Sequence, residues 1–360
     1  MPAHEIQITA PGRICLFGEH QDYLKLPVIS AAISLFIKIK AIKTEDRNLT
    51  IDLVDLNQQE VIPLQNREVQ YLYSRDYLRS AYNLFIRKGY RLNQGYKCEI
   101  SGNIPINAGC GSSSALIIAW ITFLAHIFKV ELAPTIIADL GHQAEVDEFR
   151  EAGGRMDHYT SALGGLLYII TTPPYEYEPL TVPLSGFVLG DSLERKNTVA
   201  DLARIKEQVL ISLSEMRRKY EDFDLKTTSL LELTPYLSLV FPEISKKITA
   251  NLMSRDLTQK AKALLSESDF SPAALGELLD VHHKLLAQKL GISTPKIEEL
   301  ITVAKNAGAL GCKINGSGFG GCMIAYAPDA TEEVAKAIEE AGGKAYLVSI
   351  SDGCKIIESK

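Results

Sequence analysis

The chain has 360 residues, 46% of them apolar and 23% charged, the composition of a globular protein rather than a collagen-like, coiled-coil or wholly disordered one. At about 150 residues per domain, that length predicts two domains, or one large domain with an appendage. A formal charge of -6, from 38 basic and 44 acidic residues, gives no electrostatic reason to bind a polyanionic duplex, and nucleic acid is not an expected partner.

Ile6 and Ile8 begin an alternating strand, and Arg13 to Phe17 reads as a second strand leaving a Pro-Gly turn. Alternation at Ile33, Leu35, Ile37 and Ile39 predicts another strand over 33–42, followed by LTIDLVDL from Leu49. Tyr71, Leu78, Tyr82 and Phe85 share one helical face over 70–89, with Gly89 as a stop signal. The strand YKCEISG then leads into NIPINAGCGSSSA and a long apolar helix. That apolar run, Ala115 to Phe128, includes Thr122 and His126 and is shorter than the roughly 20 residues of a membrane span, so no membrane partner is expected.

Helical patterns cover 133–149 and 155–163, and GLLYIITT reads as a buried strand. The segment TTPPYEYEPL is the best boundary, because Pro173 and Pro174 cannot continue a regular element; it divides the chain into 1–175 and 176–360. Beyond it come the strand GFVLGD, helices near 197–219, 243–265, 271–289 and 294–307, and then strand, glycine loop, strand, helix and strand. The implied class is α+β in two lobes. Six cysteines (15, 98, 110, 312, 322 and 354) show no CxxC pair or zinc spacing. They read as reduced thiols, and the start MPAHEIQITAPG lacks a secretory pattern; together these predict a cytoplasmic protein.

Three glycine-containing segments carry chemistry. PINAGCGSSSA, Pro105 to Ala115, runs straight into the apolar helix. Glycines allow close backbone approach, and the free N–H groups and positive end of a helix favour an anion such as phosphate. A serine-capped helix after a turn accounts for the same residues equally well. The loop is not a Walker A sequence, since no lysine follows Gly111. Charge neutralisation must come from elsewhere, such as a magnesium ion held by Ser113 and the distant Glu145. APGRICLFGEHQDY sets Arg13 on a strand and crowds Glu19, His20 and Asp22 after Gly18. Such a polar cluster is costly to bury without hydrogen-bond partners, which a polyhydroxylated ligand would supply. KINGSGFGGCMIAY, Lys313 to Tyr326, reads as a close-approach loop that buttresses the phosphate loop, and as a poor dinucleotide fingerprint.

These segments, in this order, resemble the superfamily of small-molecule kinases named for galactokinase, homoserine kinase, mevalonate kinase and phosphomevalonate kinase. The resemblance covers nearly the whole chain: APGRICLFGEH, PINAGCGSSSA and GALGCKINGSGFGGC. It implies an N-terminal lobe like the ribosomal S5 domain 2 and a ferredoxin-like C-terminal lobe, with ATP and substrate between them. GEHQDY looks like the galactokinase pattern GEHTDY, and AEVDEFREAGGRMDHY is similar to the galactokinase segment in which an Ala-Glu pair leads to the Asp of G-x-M-D.

By that resemblance, Asp157 is the catalytic base and Arg13 its cationic partner. Glu19, His20 and Asp22, with Gly154, face the sugar; Gly109, Cys110, Gly111, Ser112, Ser113 and Ser114 hold ATP; Ser113 and Glu145 bind Mg2+. The implied activity is ATP-dependent phosphorylation of the anomeric hydroxyl of galactose or a related aldose. A kinase for a non-sugar alcohol such as mevalonate, or a silent sugar or nucleotide sensor, are the alternatives. Gln21 and LKLPVI depart from the galactokinase pattern, and Leu202 or Ala203 stands where a sugar-contacting tyrosine is expected. Without the resemblance, Asp157 reads as a helix N-cap and Glu145 as a solvated helix residue. His282 and His283 read as ordinary helical histidines, because adjacent helical residues face different directions.

Overall fold

The computed structural model describes residues 5–358; residues 1–4, part of the opening stretch read for a leader, and 359–360 lie outside it. Among the described residues there are twelve strands: β1 (Ile6–Phe17), β2 (Val28–Thr44), β3 (Asn48–Leu53), β4 (Gln58–Pro63), β5 (Gly95–Gly102), β6 (Leu166–Ile170), β7 (Glu176–Pro179), β8 (Phe187–Asp191), β9 (Gly311–Ile314), β10 (Cys322–Tyr326), β11 (Lys344–Val348) and β12 (Lys355–Glu358). The first sheet has eight strands. Its main path is β12-β1-β2-β5-β3-β4, with β6 paired to β2 and β7 to β6. The second sheet is β11-β8-β10-β9, antiparallel throughout.

The two strands expected on either side of Pro11 and Gly12 are one. β1 continues through them, with a shift in its register against β2 between Pro11 and Gly12. Pro11 has no N–H to offer a ladder, and a bulge absorbs it without ending the strand. Gly12 makes the bulge useful: a Cβ there would lie 2.9 Å from the Cys110 carbonyl oxygen, and the next residue, Arg13, donates its N–H to that oxygen at 2.9 Å. The first strand is thereby pressed against the 109–111 loop.

Helices α2 (Ser112–Ile127) and α4 (Met156–Leu163) pack on the first sheet, with α1 (Tyr77–Arg87) against α2 and α3 (Pro134–His142) against both α2 and α4. Residues 70–76 are outside the helix expected there, because Asp76 caps it by accepting the Arg79 N–H. α2 is apolar around its whole circumference, the mark of a buried helix, and Ile117 to Leu124 are buried throughout. Trp120 is fully buried with its indole N–H donating to the Leu78 carbonyl at 3.0 Å. The helix expected over 133–149 divides into α3 and a π-helical turn, Gln143–Asp147. In the same way the one expected over 271–289 divides into α8 (Pro272–Lys284) and a π turn, Leu285–Leu290.

α5 (Thr198–Lys219), α6 (Leu230–Leu237), α7 (Pro242–Leu265), α9 (Pro295–Asn306) and α10 (Thr331–Glu340) complete the helices. A second buried cluster, including Ile205, Val209, Leu300, Ile314 and Met323, fills the C-terminal lobe. The chain is therefore α+β with two cores. β7 follows residue 175 yet pairs with β6, and β12 returns from the far end of the chain to pair with β1.

Candidate active site

A cleft of about 610 Å³ opens where the three glycine-containing segments meet. Gly109 lies against the loop between β9 and β10: its carbonyl accepts from Arg13 Nη1 and, at 2.7 Å, from Asn315 Nδ2. Asn315 in turn accepts the Cys15 N–H at 2.9 Å, and Cys322 donates its N–H to the Ala108 carbonyl at 2.8 Å. A Cβ on Gly316 would stand 2.7 Å from Gly109 Cα, so the absence of side chains on both is what lets the loops touch. The glycine segment 313–326 does buttress the 109–111 loop.

Gly111, at φ 71°, starts α2 with no side-chain cap. Gly109, Cys110, Gly111, Ser112 and Ser113 line the cleft, while the Ser114 hydroxyl turns inward and donates to Glu145 Oε2 at 2.8 Å. The open first turn of an uncapped helix presents N–H donors and a positive dipole end to an anion.

Arg13 and Asp157 form a two-pronged pair, Nε to Oδ1 and Nη2 to Oδ2, both 2.6 Å. Asp157 is in the first turn of α4, where Arg155, not Asp157, occupies the N-cap position. Burial opposes the charge on Arg13, but the adjacent carboxylate more than offsets it and the guanidinium is held cationic. The Arg13 side chain is 7% exposed and that of Asp157 23%. The carboxylate is the partner open to the cleft, with lone pairs beyond those Arg13 uses.

Asp22 and His20 also line the cleft. Asp22 accepts the Tyr23 N–H at 2.8 Å, and its carboxyl is pushed up to about 6 by burial and by the neighbouring charge of Asp157. Gly154 is required there, because a Cβ would come within 2.0 Å of Asp22 Oδ2. His20 Nε2 lies 3.2 Å from the Ser317 carbonyl and Nδ1 3.0 Å from the Tyr23 hydroxyl. A carbonyl only accepts, so Nε2 carries the proton and Nδ1 accepts from the tyrosine. Burial lowers the His20 pKa to about 4, and the ring is neutral. Glu19 faces the cleft, but both its oxygens are already held by protein groups: Oε2 by Lys313 Nζ and Oε1 by the Gly316 N–H. Lys313 also donates to the Cys15 carbonyl at 2.7 Å, and both members of the ion pair are buried.

Glu145 is on the π turn, a distortion frequent at functional sites, and is 5% exposed. Its Oε2 accepts from His158 Nε2 as well as from Ser114, each at 2.8 Å. Burial alone would raise its pKa; hydrogen bonds from His158 and the hydroxyls of Ser113 and Ser114 prevail, and the group lies below its ordinary range. Glu145 is therefore an ionised buried carboxylate, not a solvated helix residue. Among the described residues no group of three or more His, Cys, Asp or Glu forms a metal cage. A cation here would rest on one carboxylate, a serine hydroxyl and oxygens of a ligand.

Three side chains of the site escaped the reading of the sequence. Lys313 and Asn315 stand within a segment read for its glycines alone, and His158 directly follows Asp157 without any distinctive spacing. Tyr77 lines the cleft and Tyr82 is in the core. Tyr71 and Tyr73 bond Glu148 and Glu60 instead. Leu53, Leu56, Ile100, Ile104, Ile106 and Tyr346 supply apolar lining to the cleft. Leu202 lines the cleft, whereas Ala203 lines a neighbouring cavity. His282 stacks on Phe17 and His283 bonds Glu298 at 3.0 Å, so the two are separate packing histidines. No helix among the described residues is long and apolar enough to cross a membrane.

Comparison with known proteins agrees with this geometry. Residues 76–165 match the GHMP kinase N-terminal domain, 261–345 the GHMP kinase C-terminal domain, and 2–40 the galactokinase galactose-binding signature. A mevalonate kinase of Thermococcus sibiricus is 32% identical over 360 residues, 97% of each chain. A galactokinase of Haemophilus influenzae is 28% identical, over 98% of this chain and 95% of its own. Among solved structures, Lactococcus lactis galactokinase complexed with galactose superposes with a TM-score of 0.84 at 22% identity, covering 98% of this chain and 95% of its own. Methanococcus jannaschii mevalonate kinase gives 0.76 at 21%, covering 98% and 99%. With both lobes matched and a relative aligned over almost its full length, this chain belongs to the GHMP kinases.

Proposed function

We propose that the protein transfers the terminal phosphoryl group of ATP, with magnesium, to the anomeric hydroxyl of galactose or a related aldose, giving the sugar 1-phosphate. The observation that carries this reading is the Arg13–Asp157 pair, set in the cleft beside an uncapped helix start. Asp157 takes the hydroxyl proton as the sugar oxygen forms its bond to phosphorus and the bond to the departing nucleotide breaks. Arg13 keeps Asp157 ionised and faces charge that develops on the phosphoryl group. The N–H groups of Ser112, Ser113 and Ser114 receive phosphate oxygens. Ser113 and the ionised Glu145 offer the hard oxygen donors that suit magnesium. That ion, when bound, supplies neutralisation of phosphate charge.

Support for a sugar comes from the galactose-binding signature and from the polar wall of His20 and Asp22, whose carboxylate has room because Gly154 carries no side chain. Glu19 acts in this reading by accepting the Gly316 N–H and so holding that backbone. A second reading, phosphorylation of mevalonate, is favoured by the mevalonate kinases at 31–32% identity. The sensor reading is disfavoured by the joint presence of Arg13, Asp157, Ser113 and Glu145. Asp157→Asn keeps the size of the side chain and removes the base. ADP release with galactose should fall by roughly 10²- to 10⁴-fold, with the melting temperature little changed; undiminished turnover would eliminate Asp157 as the base.

A further inference from the structure

Polyphosphate brings several negative charges into a cleft whose known cations are largely committed. Arg13 is paired with Asp157, Lys313 with Glu19 and Arg75 with Glu151, and the Lys344 ammonium lies 4.9 Å from the centre of the Tyr346 ring. Lys196, in the segment between β8 and α5, has no such partner. Its Nζ donates to Ser317 Oγ at 3.3 Å and to the Gly318 carbonyl at 3.4 Å, and it forms no ion pair among the described residues.

The position of this ammonium is specific. A Cβ on Gly109 would come within 3.3 Å of Nζ, and one on Gly321 within 2.7 Å. The charge is thus wedged between the two glycine loops, one from each lobe, and next to Ser317, which lines the cleft. A half-buried ammonium with two long, uncharged contacts is poorly compensated, and its burial lowers the pKa of the group. An anionic oxygen at the loop would compensate it fully, and a flexible four-carbon stem lets a lysine head reorient by a few ångströms.

We propose that Lys196 is the phosphate-binding lysine that the 109–114 loop lacks: its ammonium turns from Ser317 and Gly318 onto phosphate oxygens of a nucleotide seated on that loop. The inference rests on the nucleotide half of the function proposed above and adds a residue to it.

Calorimetric titration of the full chain with ATP and, separately, with adenosine tests this. Lys196→Met should weaken ATP binding by roughly 10- to 100-fold, the loss of one charge-assisted contact. Adenosine affinity should stay within about twofold, and the ligand-free melting temperature should not fall. Lys196→Arg, which keeps the charge, should recover part of the ATP affinity. Unchanged ATP affinity in Lys196→Met would overturn the assignment. So would an equal loss for ATP and adenosine with a lowered melting temperature, the pattern of a purely structural prop. Absence of ATP binding by the unmodified protein would overturn the nucleotide reading itself, a result separate from any difference between variants.

Discussion

Asp22 and His20 are two residues apart in the chain and respond to the same burial in opposite senses. Burial disfavours charge, so the carboxyl is raised to about 6, with Asp157 adding to the effect, and the imidazole is lowered to about 4. Above about pH 4 His20 stays neutral, while Asp22 changes state around pH 6, ionised above it and protonated below. If the ionised form accepts hydroxyl hydrogen bonds, KM for the acceptor should rise as pH falls through about 6, and Asp22→Asn should flatten that limb. A KM profile unchanged by the substitution would remove Asp22 from the acceptor pocket. At this scale, Arg13, Asp157, Asp22 and the 109–114 loop were legible because each stands in a patterned segment. Lys313, His158 and Lys196 were not. Nothing local distinguishes a lysine buried against a carboxylate from one in water, and those partners are supplied by distant parts of the chain.

Elements join at the site through a buried ion pair that no run of residues announces. Lys313 on β9 reaches Glu19, which follows β1, and both are essentially excluded from water. Removing one member leaves the other charged and unpaired, which typically costs about 3–5 kcal/mol, whereas replacing both with well-packed apolar groups is often neutral. Lys313→Met should therefore lower stability in urea unfolding by about that amount, and Lys313→Met with Glu19→Leu should recover much of it. A single variant that unfolds like the unmodified protein would show that the pair contributes nothing. The elements themselves were largely legible from periodicity, with informative exceptions. β1 runs through Pro11 and Gly12 because a bulge accommodates them against Cys110, and α1 begins only at its Asp76 cap. The π turn that carries Glu145 has the same apolar periodicity as the α-helix before it, so only the backbone hydrogen bonds reveal it.

In the molecule as a whole, segments around residues 13, 109, 157 and 316 meet at one cleft above two buried clusters, with Lys196 against Ser317 at its edge. The α+β class and the order of the glycine segments were legible, since composition, alternation and helical spacing are local properties. Sheet order was not. The parallel pairing of β3 with β5, and the return of β12 to β1, depend on contacts between residues far apart in the chain. The choice of acceptor is also a whole-site property. In the proposed function it depends on a wall shared by the 18–25 loop, the start of α4 and the Ser317 loop, not on any one motif. The most direct test is therefore ADP release across galactose, other aldoses, uronic acids and mevalonate, with each product identified by phosphorus NMR. Galactose or a related aldose should turn over and yield a phosphate on the anomeric carbon; turnover of mevalonate with no aldose phosphorylated would contradict the account.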